Sequence, residues 1–339
     1  MPEPAVTLKD VAREAGVHPA TASRALNPET RLLVSERTAS RVLAAAAELG
    51  YRPNAVARSL RTRRSYTVGV LIPDLNNPLF PPMIRGLEDR LDSRGYVALI
   101  GNTDGDEARE HRVFEQMRAR HVDGYVLATA HLRNPGLEDA IRAGVPVVLM
   151  NRIAEDYSLP SVTVDNERGV KMAISHLTSL GHRAIACIAG PQDVSTGLAR
   201  YRGFEAAMAG AGLEVPPGRV AFARAFSIEE GYRCATEILA AGAGCTAFAA
   251  GNDMLAVGCY LALDAAGLSC PADISVVGFN DMPFISMLRP PLTTVAFSHY
   301  QVGTEAAQLL IERLAGTGAV KVLYLAPELV VRGSTARPA

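Results

Sequence analysis

Thr21, Ser23, Arg24 and Asn27 crowd one short stretch, TASRALN, and bring two hydroxyls, a planar guanidinium and an amide together. On a helix they form a polar face of hydrogen-bonding groups, the chemistry required against phosphate oxygens and base edges. Further on, residues 51–65 read YRPNAVARSLRTRRS, with five arginines and no acid, a match for a polyanion. No stretch offers a rival covalent chemistry: G-x-S-x-G, a phosphate-binding glycine loop and H-E-x-x-H do not occur. Asn102, Asp104 and Asp106 imitate the opening of a calcium loop. Glu107 stands where that loop needs glycine and Val113 where it needs glutamate, so helix capping is the better reading. His176 and His182 lack a third ligand nearby, and the five cysteines form no C-x-x-C pair. No metal, no cofactor and no enzymatic activity are expected.

Three short helices must carry the first polar cluster. Thr7 opens a Thr-x-x-Asp capping box, Leu8, Val11, Ala12 and Ala15 share one face, and Gly16 suits the C-terminal cap. A second helix starts with His18 at the cap and Pro19 at the first helical position, where proline's missing N–H is no loss. Its inner face is Ala22, Ala25 and Leu26. Ser35 caps a third helix with Val42, Leu43, Ala46 and Leu49 inward, closed by Gly50. Two short helices joined by a tight turn and braced by a third make a helix-turn-helix. A small helical core without a nucleic-acid partner is the competing reading. Asn54 could cap a helix to Leu60, but seven residues fall below the ~12–15 that an isolated helix needs, so it should order only with support.

The charge is divided in the same way. The 339 residues carry 34 basic and 35 acidic side chains. Residues 1–66 hold eleven basic against six acidic groups, +5, and the remainder 23 against 29, −6. A basic head on an acidic body fits a nucleic-acid-binding domain joined to something else. Arginine is nevertheless the chain's default cation, 31 against three lysines, so an ordinary solvated surface stays open on charge alone. Hydrophobic residues at 48% exclude a disordered chain. No apolar run reaches the ~18 residues of a membrane span, and MPEPAVTLKD lacks the features of a signal peptide, so a cytoplasmic protein without membrane contact is expected.

From Thr67 apolar strands alternate with amphipathic helices. Strands are expected near 67–72, 96–101, 123–128, 145–150, 161–164, 184–189, 219–223, 245–250, 274–278 and 321–325. Helices are expected over 79–94, 106–120, 166–180, 196–211, 227–241, 252–267 and 299–315. Repeated βα units imply parallel sheets covered by helices, and ten strands suit two doubly wound lobes with a ligand cleft between them.

These motifs resemble the lactose-repressor (LacI) family of bacterial transcription regulators. The resemblance runs through TLKDVAREAGVHPATASRALN (7–27), VSERTASRVLAAAAELGYRPNAVARSL (34–60), VGVLIPDLNNPLF (68–80), HLTSLGHRAIACIAGP (176–191), ARYRGFEAAM (199–208), AGNDMLAVG (250–258) and ISVVGFNDMPF (274–284). It implies an N-terminal all-α helix-turn-helix plus an α/β two-lobed, periplasmic-binding-protein-like effector domain with doubly wound parallel sheets. The expected divisions are 1–50 for DNA binding, 51–65 for a linker with a hinge helix, and 66–339 for effector binding and dimerisation. Within the last, the N-lobe is expected at about 66–163 and 293–325 and the C-lobe at about 164–292 and 326–339. A homodimer on a pseudo-palindromic double-stranded operator follows, and the short stretch after Val331 leaves no tetramerisation helix.

By the same resemblance the second helix enters the major groove. Arg24 reads a base, while Thr7, Thr21, Ser23 and Asn27 fall among the DNA-contacting positions. His18 stands where serine is usual. Pro19 and Ala20 hold the two variable reading positions, and neither offers a side-chain hydrogen bond, so readout there is by methyl contact and fit. In the hinge helix Asn54 is the cap, Ala57 the close approach and Leu60 the minor-groove wedge. The implied effector-binding residues are Leu79, Phe80, Asn151, Arg152, Arg200, Phe226, Asn252 and Asn280. For Phe80 and Phe226 plain core packing is the rival reading, and Arg202 is the less favoured alternative to Arg200. Family members that bind neutral sugars often carry carboxylates at the positions of 151 and 280, both asparagine here. Arg200, and Arg152 if it faces inward, then lack an evident counter-ion, which a ligand carboxylate or phosphate could supply. A sugar, a sugar acid and a sugar phosphate all remain open, and Asp74 could itself supply the charge. The function implied is that of a repressor of carbohydrate or small-metabolite catabolism genes. A periplasmic solute-binding protein and an α/β sugar-processing enzyme are the rivals, disfavoured by the head and by the lack of a catalytic constellation.

Overall fold

The computed structural model describes residues 6–27, 30–51, 64–133, 141, 144–155 and 158–338. The chain divides into two compact units, Met1–Ser65 and Tyr66–Ala339. In the first, α1 (Leu8–Glu14), α2 (Pro19–Leu26) and α3 (Glu36–Glu48) pack through Val11, Ala12, Ala15, Ala22, Ala25, Ala39, Val42, Ala45 and Ala46. Side chains this small let short helices approach closely. The ends are held locally: Thr7 and Asp10 complete the capping box, His18 Nδ1 accepts from the Ala20 N–H at 3.2 Å, and Ser35 Oγ accepts from Thr38 N–H. The expected hinge helix, with Asn54, Ala57 and Leu60, lies outside the described residues.

The second unit holds two six-stranded sheets. In the first lobe, β1 (Thr67–Ile72), β2 (Val97–Asn102), β3 (Gly124–Leu127), β4 (Val147–Met150), β5 (Ser161–Val164) and β11 (Val322–Leu325) lie in the order β2-β1-β3-β4-β5-β11, all parallel. In the second, β6 (Ile185–Ala189), β7 (Val220–Phe222), β8 (Ala247–Ala250), β9 (Ser275–Asn280), β10 (Thr293–Ala296) and β12 (Glu328–Val330) run β7-β6-β8-β9-β10-β12, and only β12 is antiparallel. The helices are α4 (Phe80–Asp92), α5 (Glu107–Ala119), α6 (Asn166–Ser179), α7 (Ser195–Gly210), α8 (Ile228–Ala240), α9 (Asp253–Ala265) and α10 (His299–Leu314). Helix α10 packs on α4 and on the first sheet. Gly86 and Gly303 permit this approach, since a Cβ on either would fall 2.1 Å from Tyr300 O or 1.8 Å from Met83 O.

One expected boundary is corrected. Residues 293–296 were assigned to the N-lobe, yet they form β10 in the second sheet, with Thr293 beside Val277 and Ala296 beside Asn280. The crossing between lobes therefore falls after Ala296, at Phe297–Ser298. Strands β10 and β12 were not expected at all. β10 is short and begins with two threonines, so it lacks the apolar run that marks a central parallel strand. Its hydroxyls are hydrogen-bonded instead: Thr294 Oγ1 donates to Asp253, and Thr293 Oγ1 accepts from the Arg332 N–H.

Candidate DNA-reading helix and effector site

Within the head, α2 turns Ala22 and Ala25 inward and leaves His18, Ala20 and Arg24 exposed, with Pro19, Thr21, Ser23 and Asn27 at intermediate burial. The expected reading positions thus share the solvent side of one eight-residue helix. Its last turn is tied down from the segment that follows. Thr30 Oγ1 donates to Arg24 O at 3.1 Å and Arg31 Nε to Ala25 O at 3.0 Å. The carbonyls of Arg24 and of the residue after it are therefore both held by the segment that follows. Thr7 caps α1, so its hydroxyl meets Asp10 rather than standing open.

In the body, the second lobe gathers its polar residues at the carboxyl ends of its strands, where the order β7-β6-β8 reverses direction, the usual ligand crevice of such sheets. Arg200, on α7, is the centre and is only 4% exposed. Nε donates to Asn166 Oδ1 at 2.8 Å, Nη1 to the Gly251 carbonyl at 2.7 Å and Nη2 to Asn280 Oδ1 at 3.2 Å. The guanidinium carbon lies 3.8 Å from the centre of the Phe279 ring and 5.9 Å from that of Phe226. Burial pulls its pKa down to about 9, opposed by the carboxylate of Asp253, so it remains a cation at neutral pH. Arg202, two residues on, is exposed.

Asp253 is the carboxylate whose charge acts on Arg200. It is fully buried at the start of α9, accepting from Thr294 Oγ1 at 2.6 Å and from Met282 N–H at 2.8 Å. Burial raises its pKa to about 7, while these two bonds and Arg200 lower it. Asp74, the residue considered for this role, instead accepts from Asn76 N–H in its own turn. Asn252 uses its amide oxygen to cap α9 through Leu255 N–H, and Phe226 lies against Gly190, which has no side chain to displace it.

The other expected residues belong to the first lobe. Leu79 and Phe80 are buried in the main hydrophobic cluster with Val70, Ile72 and Met83, so core packing accounts for Phe80. Asn151 follows β4 with φ +66°, its carbonyl accepts from Thr163 Oγ1, and its own Oδ1 is buried without a partner. Arg152 reaches across to the end of β3, donating to the carbonyls of Thr129 and Ala130 at 3.1 and 3.4 Å. Burial lowers its pKa to about 10 against the pull of Asp193 and Glu110. The lobes meet at one edge of the cleft. There Leu132 N–H donates to Asp193 O at 2.9 Å, Ile153 N–H donates to Ser195 Oγ at 2.9 Å, and His131 Nδ1 lies 3.1 Å from Asp193 Oδ2.

Sequence reasoning missed Asn166, Gly251, Phe279 and Asp253. Asn166 and Asp253 are polar residues at the start of helices, where capping explains them without reference to a site. The candidate calcium loop resolves into a cap, with Asp106 accepting from Arg109 N–H. His182 bonds Thr246, Ser275 and the Ala336 carbonyl, and His176 bonds Thr335. Among the described residues no cluster of three metal-binding side chains occurs, and no helix is long and apolar enough to cross a membrane.

Family models agree with this division. One described as bacterial regulatory proteins, lacI family, matches residues 7–54, and one described as a periplasmic binding protein-like domain matches 174–335. The ribose operon repressor of Escherichia coli (strain K12) is 37% identical over 330 residues, 97% of this chain and 99% of that protein. A lac repressor dimer bound to operator and the anti-inducer ONPF has a TM-score of 0.83 at 26% identity, covering 98% of this chain and 100% of that one. A LacI family regulator from Enterococcus faecium with bound ribose has a TM-score of 0.71 at 30% identity, covering 80% and 100%. With a helix-turn-helix head, a two-lobed body and identity of this order along nearly its whole length, the chain belongs to the lacI family of bacterial regulatory proteins, which are DNA-binding transcription regulators and not enzymes.

Proposed function

We propose that this regulator acts as a cytoplasmic homodimer that represses carbohydrate or small-metabolite catabolism genes and responds to a small neutral sugar held in the interlobe cleft. Arg24, Thr21, Ser23 and Asn27 face the operator from α2, while Leu60 supplies the wedge at its centre. The observation that carries the choice of effector is that Arg200 already donates to three neutral acceptors, Asn166 Oδ1, the Gly251 carbonyl and Asn280 Oδ1. The buried guanidinium is held by these bonds without a ligand anion, and the charge of Asp253 opposes the downward pull of burial on its pKa. A guanidinium has five N–H groups, and the three directed at Asn166, Gly251 and Asn280 leave two for the oxygens of a polyol. The relatives point the same way, one being named a ribose operon repressor and another holding ribose.

Coupling follows from differential affinity. A sugar that binds both lobes favours the arrangement in which they meet, and operator affinity changes only as far as the two arrangements differ in DNA binding. Thermal-shift titration with D-ribose and D-ribose 5-phosphate tests the ligand class, and stabilisation by the phosphate alone would overturn the neutral reading. Gel-shift titration with genomic fragments at several salt concentrations tests DNA binding. A sequence-specific band with a steep salt slope is expected.

A further inference from the structure

Asn166 is the first residue of α6, and two residues before it the chain is still in β5, so it stands where the backbone first crosses from one lobe to the other. Both ends of its amide are used. Nδ2 donates to the carbonyl of Val164, the last residue of β5, at 3.0 Å, and Oδ1 accepts from Arg200 Nε at 2.8 Å. The partners fix the amide's orientation, because turning it over would set oxygen against a carbonyl and NH₂ against an N–H. The residue is 7% exposed, so little water competes for either bond. The first turn of α6 lies against the helix that carries Arg200: a Cβ on Gly203, one turn further along α7, would fall 3.0 Å from Glu167 Cα. The same crossing is tied to another. Asp165 N–H donates to the carbonyl of Leu325, the last residue of β11, after which the chain passes to β12 of the second lobe. A cavity of about 370 Å³ beside the crossing is lined by Leu132, Ile153 and Thr163 from the first lobe and by Asn166, Ser195 and Leu198 from the second, so the segment has room to turn.

We propose that Asn166 is the positioning residue that couples the effector cleft to the crossing between the lobes. This rests on the reading of the cleft as the effector site. Three bonds, one at each nitrogen, hold the guanidinium plane of Arg200, and the bond at Nε is the one that reaches the crossing. The bond from Nδ2 to Val164 spans the backbone of Asp165, so a turn of the chain there displaces the carbonyl from the amide. Asn166 then keeps one partner at the expense of the other, and Arg200 is held differently in the two lobe arrangements. A sugar on Arg200 therefore binds the two with unequal affinity. By linkage it shifts the balance between them and, with it, the affinity for operator.

The test compares the full chain with Asn166→Asp and Asn166→Ala. D-ribose affinity is read by calorimetry, and operator affinity by gel shift with and without saturating D-ribose; the ratio of the two operator constants is the coupling. Asp keeps an acceptor for Arg200 Nε but has no N–H for the Val164 carbonyl, whereas Ala keeps neither. Asn166→Asp is expected to bind D-ribose within about threefold of wild type, and Asn166→Ala to lose about tenfold. In both, the coupling ratio should fall to about 1. A wild-type ratio in either variant would overturn the role of Asn166 while leaving the effector reading intact, since the sugar would still be bound and answered. So would an equal loss of D-ribose affinity in the two variants, or a lowered melting temperature with the ratio unmoved, the mark of a purely structural residue. A wild-type chain that does not bind D-ribose, or whose operator affinity D-ribose does not change, would overturn the reading of the cleft and this proposal with it. Far-UV circular dichroism serves as the folding control for both variants.

Discussion

The head and the second lobe hold their functional arginines by opposite means. Arg24 stands on a helix whose supports lie within a few residues: the His18 cap reaches Ala20, and Thr30 and Arg31 each reach back six positions. Arg200 is held by partners 34, 51 and 80 residues away, one on another helix and two at the ends of separate strands. On the proposed function, the exposed arginine keeps its hydration until DNA replaces it. The buried one is desolvated in advance and is held by neutral acceptors, with the charge of Asp253 opposing the pull of burial on its pKa. A side chain that reads DNA must be accessible on a stiff support, whereas one that orients a small ligand must be immobile before the ligand arrives.

Breaking the long-range cluster should give the largest effect. Arg200→Ala leaves the acceptors of Asn166, Gly251 and Asn280 without their donor. Loss of about 3 kcal/mol of stability is expected in chemical denaturation, together with loss of sugar binding. Next is the pH dependence of that same cluster. The folded pKa of Asp253, about 7, lies above the carboxylate value of an unfolded chain, near 4. Across that window the native state keeps a proton that the unfolded state has released. The group's contribution therefore declines as pH rises from about 4 to 7 and is lowest above 7. Asp253→Asn can still accept from Met282 N–H and donate to Thr294. It should flatten this slope in thermal melts between pH 5 and 8, removing on the order of 2 kcal/mol of variation.

Effects in the head should be confined to it. Arg24→Ala should weaken specific operator binding by about 1–3 kcal/mol while leaving the melting temperature and sugar affinity unchanged, as read by gel shift and calorimetry. An equal loss on nonspecific DNA would reassign Arg24 to phosphate contact. The smallest effect belongs to the cap: His18→Ala should cost about 1 kcal/mol of stability in the isolated head, and His18→Ser should restore it.

The head could be read closely because its rules are local. Thr7 with Asp10, His18 before Pro19, Ser35 before α3 and the alanines at helical spacing each act within a turn or two, so their spacing in the chain is their spacing in space. The strands of the body announced themselves wherever they were continuous and apolar. β10 did not, because its threonines are hydrogen-bonded to Asp253 and to the segment around Arg332, partners 41 and 39 residues away. The same blindness hid Asp253 as a buried acid. An aspartate opening a helix looks like a cap, and only packing under β10 removes it from water.

Charge division, the capped helices and the alternation of strands and helices were thus determined by sequence alone, since each depends on neighbours in the chain. The surroundings of Arg200 and Asp253 were decided only by tertiary structure. The saturation of three of Arg200's five N–H groups and the raised pKa of Asp253 arise from atoms that meet after folding. Burial makes those meetings matter, because a polar group without water takes its character from the few partners that the fold brings to it.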